Sequence, residues 1–359
     1  MNAKGGFVKE QKISIAQVAE KAGVSSMTVS RVIRGEPFVR EDTRKRVVAV
    51  MKELRYIPSA AAQSLRSHDR LKASGTRLFA LIFGSGTESS VSFFFDVARG
   101  VEQAASEFGL CPLHVTMQDT PENSWLRLQT VFSISNLCGA LLAGQFSPED
   151  IRFIRENVKN VVVLDGPSPN DSGVGSVESG NLEGALLAID HLIGIGCRRI
   201  LVITVERNHY FAEALTLAAS SRRSPDCAIE VRYDCFESLG AHELVLGLWK
   251  SGERFDGLFT SDDFAIGAMK ALQEMKVVVP GEVKIVGFDD ITYSSLTVPS
   301  LTSIRIDKYL LGAEAVRTLV AMTRSPEKPT DMKKVIRPTL IVRESTGGPT
   351  PAHPESAQE

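Results

Sequence analysis

The stretch GVSSMTVSRVIRG, residues 23–35, holds side chains of two chemical kinds at helical spacing. One face of the resulting helix is apolar and consists of Val24, Val29 and Val32. The opposite face carries Ser26, Met27, Thr28, Ser30 and Arg31. A guanidinium donates paired hydrogen bonds, hydroxyls donate or accept, and a thioether packs on methyl groups. The chemistry of this outer face is therefore recognition of a hydrogen-bonding surface.

Short helices must position this face. Ser14 can cap a helix that runs to Ala22 and ends at Gly23, and Ser25 can cap a second helix through Ile33. A third helix, from residue 41 or 42 to about 55, buries an apolar stripe. Two helices joined by a tight turn predict a helix-turn-helix, whose second helix lies in the DNA major groove.

The charge of the chain is divided unevenly along its length. Residues 1–72 hold 15 Lys and Arg against 7 Asp and Glu, whereas residues 73–359 hold 26 against 36. A basic N-terminal region on an acidic remainder indicates a polyanionic partner for the first region. A solvated basic surface is the alternative that charge alone leaves open.

In the helix-turn-helix interpretation, the outer residues divide into two roles. Ser26, Met27 and Arg31 are predicted to read base edges, with Arg31 on a guanine and Met27 on a thymine methyl. Thr28 and Ser30 are predicted to contact the DNA backbone phosphates. An amphipathic helix pair that only forms a core is the structural alternative.

From Leu78 onwards, short apolar runs alternate with helical patterns. The predicted strands are LFALIF (78–83), LCPLHVTM (110–117), CGALLAG (138–144), VVVLDG (161–166), RRILVIT (198–204), AIEVRYDC (228–235), DGLFTSDD (256–263), VKIVGFDD (283–290) and, late in the chain, PTLIVREST. Near-continuous apolar strands separated by helices predict parallel sheets covered on both faces. The number of units favours two doubly wound subdomains over one sheet.

The segment from ISIAQVAEKAGVSSMTVSRVIRGEP to PSAAAQSLRS resembles the DNA-binding headpiece of the LacI family of bacterial transcriptional regulators. FDVARGVEQAASEFG, SDDFAIGAMKAL, VPGEVKIVGFDD and LIVREST resemble the ligand-binding core of that family, in order. The resemblance covers residues 13–345. It implies an all-α headpiece followed by a core of two doubly wound parallel-sheet subdomains like the periplasmic binding proteins.

The resemblance also assigns DNA contacts residue by residue. Thr43 and Tyr56 fall on positions that contact or approach the backbone. PSAAAQSLRS matches a hinge helix that enters the minor groove, with Leu65 as the residue that wedges into the central base step. The other implied hinge contacts are Ala62 and Arg66. Arg34 stands where the family commonly has Asn, which implies a changed phosphate or flanking-base contact.

The family places a small-molecule effector in the cleft between the subdomains, where strand ends collect polar groups. The matching positions are Phe93, Phe94, Asp165, Asn208, Phe236, Ser261 and Asp289. The sequence departs from the family pattern at two positions. The family's usual Arg after ILVIT is absent, and Gly180 occupies a position where the family usually has Asp. Asp262 and Asp290 are predicted to cap helices or turns, and Phe95 to be core. A sugar or sugar derivative is the implied effector, with a nucleobase second.

No motif predicts catalysis. FGSGTESS departs from a dinucleotide-binding loop, no nucleophile-elbow or P-loop sequence occurs, and the histidines lack metal spacing, so we expect no enzyme activity, cofactor or metal. Five scattered cysteines and the lack of an apolar leader or membrane-length segment predict a cytoplasmic protein without membrane contact.

The domain prediction is a leader at 1–12, a headpiece at 13–57, a hinge and linker at 58–76, a core at 77–346 and a disordered tail at 347–359. We expect a homodimeric repressor that binds a palindromic operator under effector control. The alternative is a DNA-binding regulator whose core lacks a small effector and is switched by a protein partner.

Overall fold

The computed structural model describes residues 13–33, 39–54, 56, 77–84, 87, 91–117, 121–166, 173–324 and 332–348. The positions Arg34, Ala62, Leu65 and Arg66, the 58–76 hinge and residues 349–359 lie outside these ranges. Their predicted roles therefore stay predictions.

The headpiece contains three helices, α1 (Ile15–Ala22), α2 (Ser26–Ile33) and α3 (Glu41–Glu53). The Ser14 side chain caps α1 in a capping box with Gln17, and α1 ends at Gly23, whose φ of 64° lies in the left-handed region. Ser25 Oγ accepts a hydrogen bond of 3.1 Å from the Thr28 amide and so caps α2. The predicted start and end signals of α1 and the predicted start signal of α2 are confirmed.

The N-terminal subdomain begins with five strands that alternate with helices. Its first elements are β1 (Arg77–Phe83), α4 (Val91–Glu107), β2 (Leu110–Thr116), α5 (Pro121–Phe132), β3 (Leu137–Ala143), α6 (Pro148–Asn157), β4 (Val161–Leu164) and β5 (Val174–Ser179). Strands β1, β3 and β4 are apolar and buried over most of their length, as expected where helices cover both faces of a sheet, whereas the edge strand β2 is largely accessible.

The chain then crosses into the C-terminal subdomain. Its elements are α7 (Asn181–Gly194), β6 (Arg199–Ile203), α8 (Tyr210–Arg222), β7 (Ala228–Arg232), α9 (Glu237–Lys250), β8 (Gly257–Phe259), α10 (Asp262–Glu274), β9 (Lys284–Asp289), a 3-10 turn (Thr292–Ser295) and β10 (Thr302–Arg305). Strand, helix, strand repetition again produces parallel pairing.

Two further crossings complete the fold. The chain returns to the first subdomain as α11 (Lys308–Arg324) and β11 (Lys333–Ile336), then adds β12 (Thr339–Ile341) and a 3-10 turn (Glu344–Thr346) to the second. The sheet orders are β11-β5-β4-β3-β1-β2 and β12-β10-β9-β8-β6-β7. Every pairing is parallel except β10 with β12. The predicted fold class is confirmed, and three crossings join the subdomains.

The structure corrects the strand predictions in two ways. Strands β5, β10 and β11 were not predicted, because VGSVES, TSIR and KKVI are short and lack an apolar run. The predicted strand 256–263 ends at Phe259, because Asp262 already begins α10. These short strands pair only because the neighbouring strands supply hydrogen-bonding partners.

Candidate functional site

The outer face of α2 presents the residues that sequence analysis assigned to base reading. Ser26, Met27 and Arg31 are all exposed, and the Met27 side chain keeps 59% of its surface accessible. The opposite residues Val29 and Val32 are fully buried in the headpiece core. An exposed thioether on a helix with a buried apolar face favours contact with a partner over packing within the chain.

The predicted backbone-contacting residues are less accessible. Thr28 is half-buried, and its Oγ1 lies 2.9 Å from Ser25 Oγ, so the hydroxyl also takes part in the helix start. Ser30 and Thr43 are half-buried as well. Tyr56 is buried in the headpiece cluster, and its predicted approach to the DNA backbone stays a prediction. Burial also raises the pKa of the Tyr56 hydroxyl.

Tyr56 is buried because the headpiece packs against α5 of the core. The buried side chains of Trp125 and Leu126 join the headpiece cluster. Gln129 Nε2 donates a 2.7 Å hydrogen bond to the Tyr56 carbonyl, and Lys52 Nζ lies 5.8 Å from the Trp125 ring centroid. Sequence reasoning missed this contact, since nothing in the pattern of α5 distinguishes it from a helix that packs only on its own sheet.

The second site is the cleft between the subdomains, where β4 and β9 end in carboxylates. Asp165 follows β4 with a φ of 49°, and Asp289 ends β9 with a φ of 102°. Non-glycine residues seldom adopt left-handed conformations, and such residues cluster at binding sites. The structure therefore brings together two of the predicted effector residues from separate sheets.

Asp165 is buried beside two donors. Its Oδ1 accepts from the Ser179 amide and its Oδ2 from the Tyr210 hydroxyl, both at 3.3 Å. Burial raises the pKa of the Asp165 carboxyl, while Ser179 and the Tyr210 hydroxyl oppose that rise. Burial and the negative charge of Asp165 raise the pKa of Tyr210 in turn, so the tyrosine remains a donor.

Asp289 lies beside a buried lysine. Lys308 Nζ donates to the backbone carbonyls of Asp289 at 2.5 Å and Asp290 at 3.0 Å, which fixes the end of β9. Burial raises the pKa of the Asp289 carboxyl, Asp262 and Asp165 raise it further, and Lys308 lowers it. A ligand that donates hydrogen bonds to this carboxyl would stabilise its charged form.

Asp262 and Asp290 have structural roles, as predicted. Asp262 accepts hydrogen bonds from the Ile291 amide and the hydroxyls of Ser294 and Ser303. Burial raises its pKa to about 7. A Cβ on Gly287 would collide with the Asp262 carboxylate, so only glycine fits there. Asp290 forms ion pairs with two arginines, Arg305 and Arg343.

The remaining predicted effector residues lie in varied environments. Phe93 and Phe94 are buried in α4, with ring centroids 5.1 Å apart, and Phe94 meets Phe83 edge to face. Phe95 was expected in the core, but 63% of it is exposed because it falls on the outer side of α4. The other three lie near helix starts: Asn208 is exposed, Phe236 is exposed at the N-cap of α9, and half-buried Ser261 is the N-cap of α10. Their contacts with an effector stay predictions.

Sequence analysis overlooked Ser179, Tyr210 and Lys308 as cleft residues. A signal existed for Ser179, since Gly180 beside it departs from the family pattern, but β5 was not recognised as a strand. Within the described ranges, no helix combines the length and apolarity that crossing a bilayer requires. The same residues contain no group of three or more His, Cys, Asp or Glu arranged for a metal.

Fold and sites together define a helix-turn-helix DNA-binding protein with a periplasmic-binding-protein-like core. Residues 14–59 match the bacterial regulatory proteins of the lacI family, and residues 189–346 match the periplasmic binding protein-like domain. The ribose operon repressor of Halalkalibacterium halodurans is 31% identical over 343 residues, which cover 93% of this chain and 97% of the repressor.

Two solved structures share the fold along almost their whole length. The transcriptional regulator CelR in complex with cellobiose has a TM-score of 0.67 and 25% identity, covering 93% of this chain and 99% of its own. The lac repressor dimer bound to operator and the anti-inducer ONPF has a TM-score of 0.65 and 21% identity, covering 94% and 99%. This chain belongs to the LacI family of bacterial transcriptional regulators. The family consists of DNA-binding regulators, which confirms the prediction that the protein is not an enzyme.

Proposed function

We propose that this protein is a transcriptional repressor that binds a near-palindromic operator as a homodimer and is controlled by a small effector in the cleft. The observation that carries the proposal is the exposed α2 face of Ser26, Met27 and Arg31 above a buried apolar face. The carboxylates at the cleft of the core supply binding groups for an effector that controls DNA binding.

The DNA half of the proposal rests on chemistry and charge. A guanidinium such as that of Arg31 makes bidentate contacts with guanine, and an apolar side chain such as that of Met27 packs on a thymine methyl. Ser30, Thr28 and Thr43 supply hydroxyls toward the phosphates, and the basic N-terminal region supplies the salt-dependent attraction. Action on chromosomal DNA places the protein in the cytoplasm.

The dimer is supported by apolar side chains that the C-terminal subdomain leaves exposed. Tyr293, Leu296 and Val298 lie in one short segment around a 3-10 turn, and Val298 is 94% exposed. Large apolar side chains concentrated in an exposed segment mark an interaction surface. A two-fold dimer presents two recognition helices and therefore requires a two-fold operator.

A sugar or sugar derivative is the effector that the cleft supports first. Asp165 and Asp289 accept hydrogen bonds in the manner that vicinal hydroxyls require. The names of two similar proteins, a ribose operon repressor and a regulator in complex with cellobiose, point in the same direction. A ligand that contacts both carboxylates bridges the two subdomains and therefore favours the closed cleft.

The test selects operator sequences from a randomised DNA pool with the full-length chain, then measures release by a panel of sugars, sugar acids, sugar phosphates and nucleobases. We expect a near-palindromic consensus and release by at least one neutral sugar, which also raises the melting temperature. Failure to enrich any sequence would overturn the DNA-reading role.

A second candidate is a repressor switched by a protein partner, without a small effector. It is favoured by Arg207, the nearest substitute for the missing clamp arginine, which lies over the Tyr233 ring at 4.0 Å. Operator binding that no compound in the panel changes would favour this candidate.

A further inference from the structure

A cavity of about 590 Å³ lies beside the cleft, next to the first crossing between the subdomains, and Asp165 lines both. Its walls come from both subdomains, because the crossing at residues 178–181 and the β11 residue Val335 face α7. A ligand in this cavity would therefore touch elements that move relative to each other when the cleft closes.

The lining is acidic at one end and aliphatic along one wall. Its carboxylates belong to Asp165, Glu178, Glu183 and Asp190, and its apolar wall to Leu182, Leu186, Leu187 and Val335. Asp190 already pairs with Arg222, and Glu178 pairs with Lys333 through Oε2 at 3.0 Å. In the part of the chain that the structure describes, Asp165 and Glu183 have no cationic side chain at ion-pair distance. Two of the four carboxyl groups that line the cavity therefore have no cationic partner among the described residues.

A separate observation points to a ligand. Ser179 is only 7% exposed, lines the cavity, and its Oγ has no hydrogen-bond partner among the described residues. This hydroxyl lies near enough to Asp165 to lower the pKa of that carboxyl, but not within hydrogen-bonding geometry. Oε1 of Glu178 is likewise buried without a partner. Buried polar atoms without partners are costly, and a donating ligand would satisfy both.

We propose that this cavity binds a protonated amine on an aliphatic body, with the ammonium among Asp165, Ser179, Glu178 and Glu183 and the carbon chain on the leucine wall. An ammonium has three donors and no acceptor, which matches a cluster of carboxylate and hydroxyl oxygens. Phosphates and carboxylates are excluded by repulsion. The inference goes beyond the proposed function, because it adds a second ligand of a different chemical class in a cavity that adjoins the effector cleft.

The experiment compares three four-carbon probes of equal length and different charge: 1,4-diaminobutane, 1,4-butanediol and succinate. Calorimetry and thermal shift with the full-length protein at constant ionic strength measure their binding. We expect the diamine alone to bind and to raise the melting temperature. Equal binding by butanediol or by succinate would overturn the charge assignment.

Two variants test the position of the amine. Glu183→Gln removes an unpaired charge from the exposed side of α7, and we expect about a tenfold loss of diamine affinity. Ser179→Ala should weaken binding as well. Glu107→Gln, at the last residue of α4 and outside the cavity lining, is the matched control. Unchanged affinity in Glu183→Gln and Ser179→Ala together would overturn the site.

Operator binding is measured in the same samples, so that the two proposals fail separately. Diamine binding without any operator recognition would overturn the proposed function and keep the amine site. Operator release by a neutral sugar, with no diamine binding, would overturn the amine site and keep the repressor.

Discussion

The exposed face of α2 formed by Ser26, Met27 and Arg31 and the cleft between the subdomains are built in opposite ways. Three exposed side chains within one eight-residue helix make the face, and its support is the local pattern of Val29 and Val32. The carboxylates of the cleft belong to Asp165 and Asp289, which are more than a hundred residues apart in the chain and lie at the ends of strands in different sheets. We therefore expect substitutions on the α2 face to alter DNA recognition while leaving the stability of the fold unchanged. Substitutions around the cleft should alter both DNA recognition and stability.

The largest expected effect is Asp262→Ala beneath the cleft. It removes the acceptor of three donors from two segments, the 3-10 turn and β10, which leaves them buried and unpaired and costs about 4 kcal/mol of unfolding free energy. Urea denaturation measures the loss. Asp263→Ala, the neighbouring carboxylate, is the control, and equal losses in both variants would contradict the non-local role of Asp262.

Trp125→Ala tests the contact that links the two regions. Removing the buried indole should lower the unfolding free energy of the headpiece by about 3 kcal/mol, because Trp125 belongs to the headpiece cluster. Scanning calorimetry of the full chain separates the headpiece and core transitions. Trp249→Ala should lower the core transition instead, and a headpiece transition unmoved by Trp125→Ala would show that α5 does not support it.

Arg31→Ala tests the local character of the face. We expect a loss of about 2 kcal/mol in discrimination between operator and mutated sequence, with stability unchanged. Fluorescence anisotropy at several salt concentrations checks this. Lys45→Ala removes an exposed charge on α3. It should weaken binding to all DNA sequences alike and lower only the slope of affinity against salt concentration. Unaltered discrimination by Arg31→Ala would assign base reading elsewhere.

The smallest effect concerns pH and His209 at the start of α8. Burial lowers the pKa of His209 from 6.5 to about 4. The unfolded chain therefore binds more protons between these values, so the His209 contribution is complete above pH 6.5 and is lost as the pH falls through about 4. His209→Asn keeps a capping acceptor and should remove this loss.

Because the raised pKa of Asp262 changes stability in the opposite sense over all of that range, the measurement is the difference in unfolding free energy between wild type and variant at each pH. The difference should shrink as the pH falls from 6.5 to 4. His114→Asn on the edge strand β2 is the control. A pH-independent difference for His209→Asn would contradict the assignment.

Sequence reasoning succeeded where the interactions are short in range. The caps at Ser14 and Ser25, the turn at Gly23 and the buried stripe of α2 follow from residues within one or two turns. The long apolar strands were found for a similar reason, since burial on both faces leaves a continuous signal. The polar and short strands β5, β10 and β11 carried no such signal.

Periodicity, capping signals and specific family motifs were enough to predict the headpiece, the outer face of α2 and the class of the core, because these signals are local. Packing between elements brings Ser179 and Tyr210 to Asp165, lets Lys308 hold the end of β9, and buries Tyr56 against α5. These contacts join different elements of the fold. Their partners are set by how the sheets and helices pack, and residue spacing along the chain does not encode them.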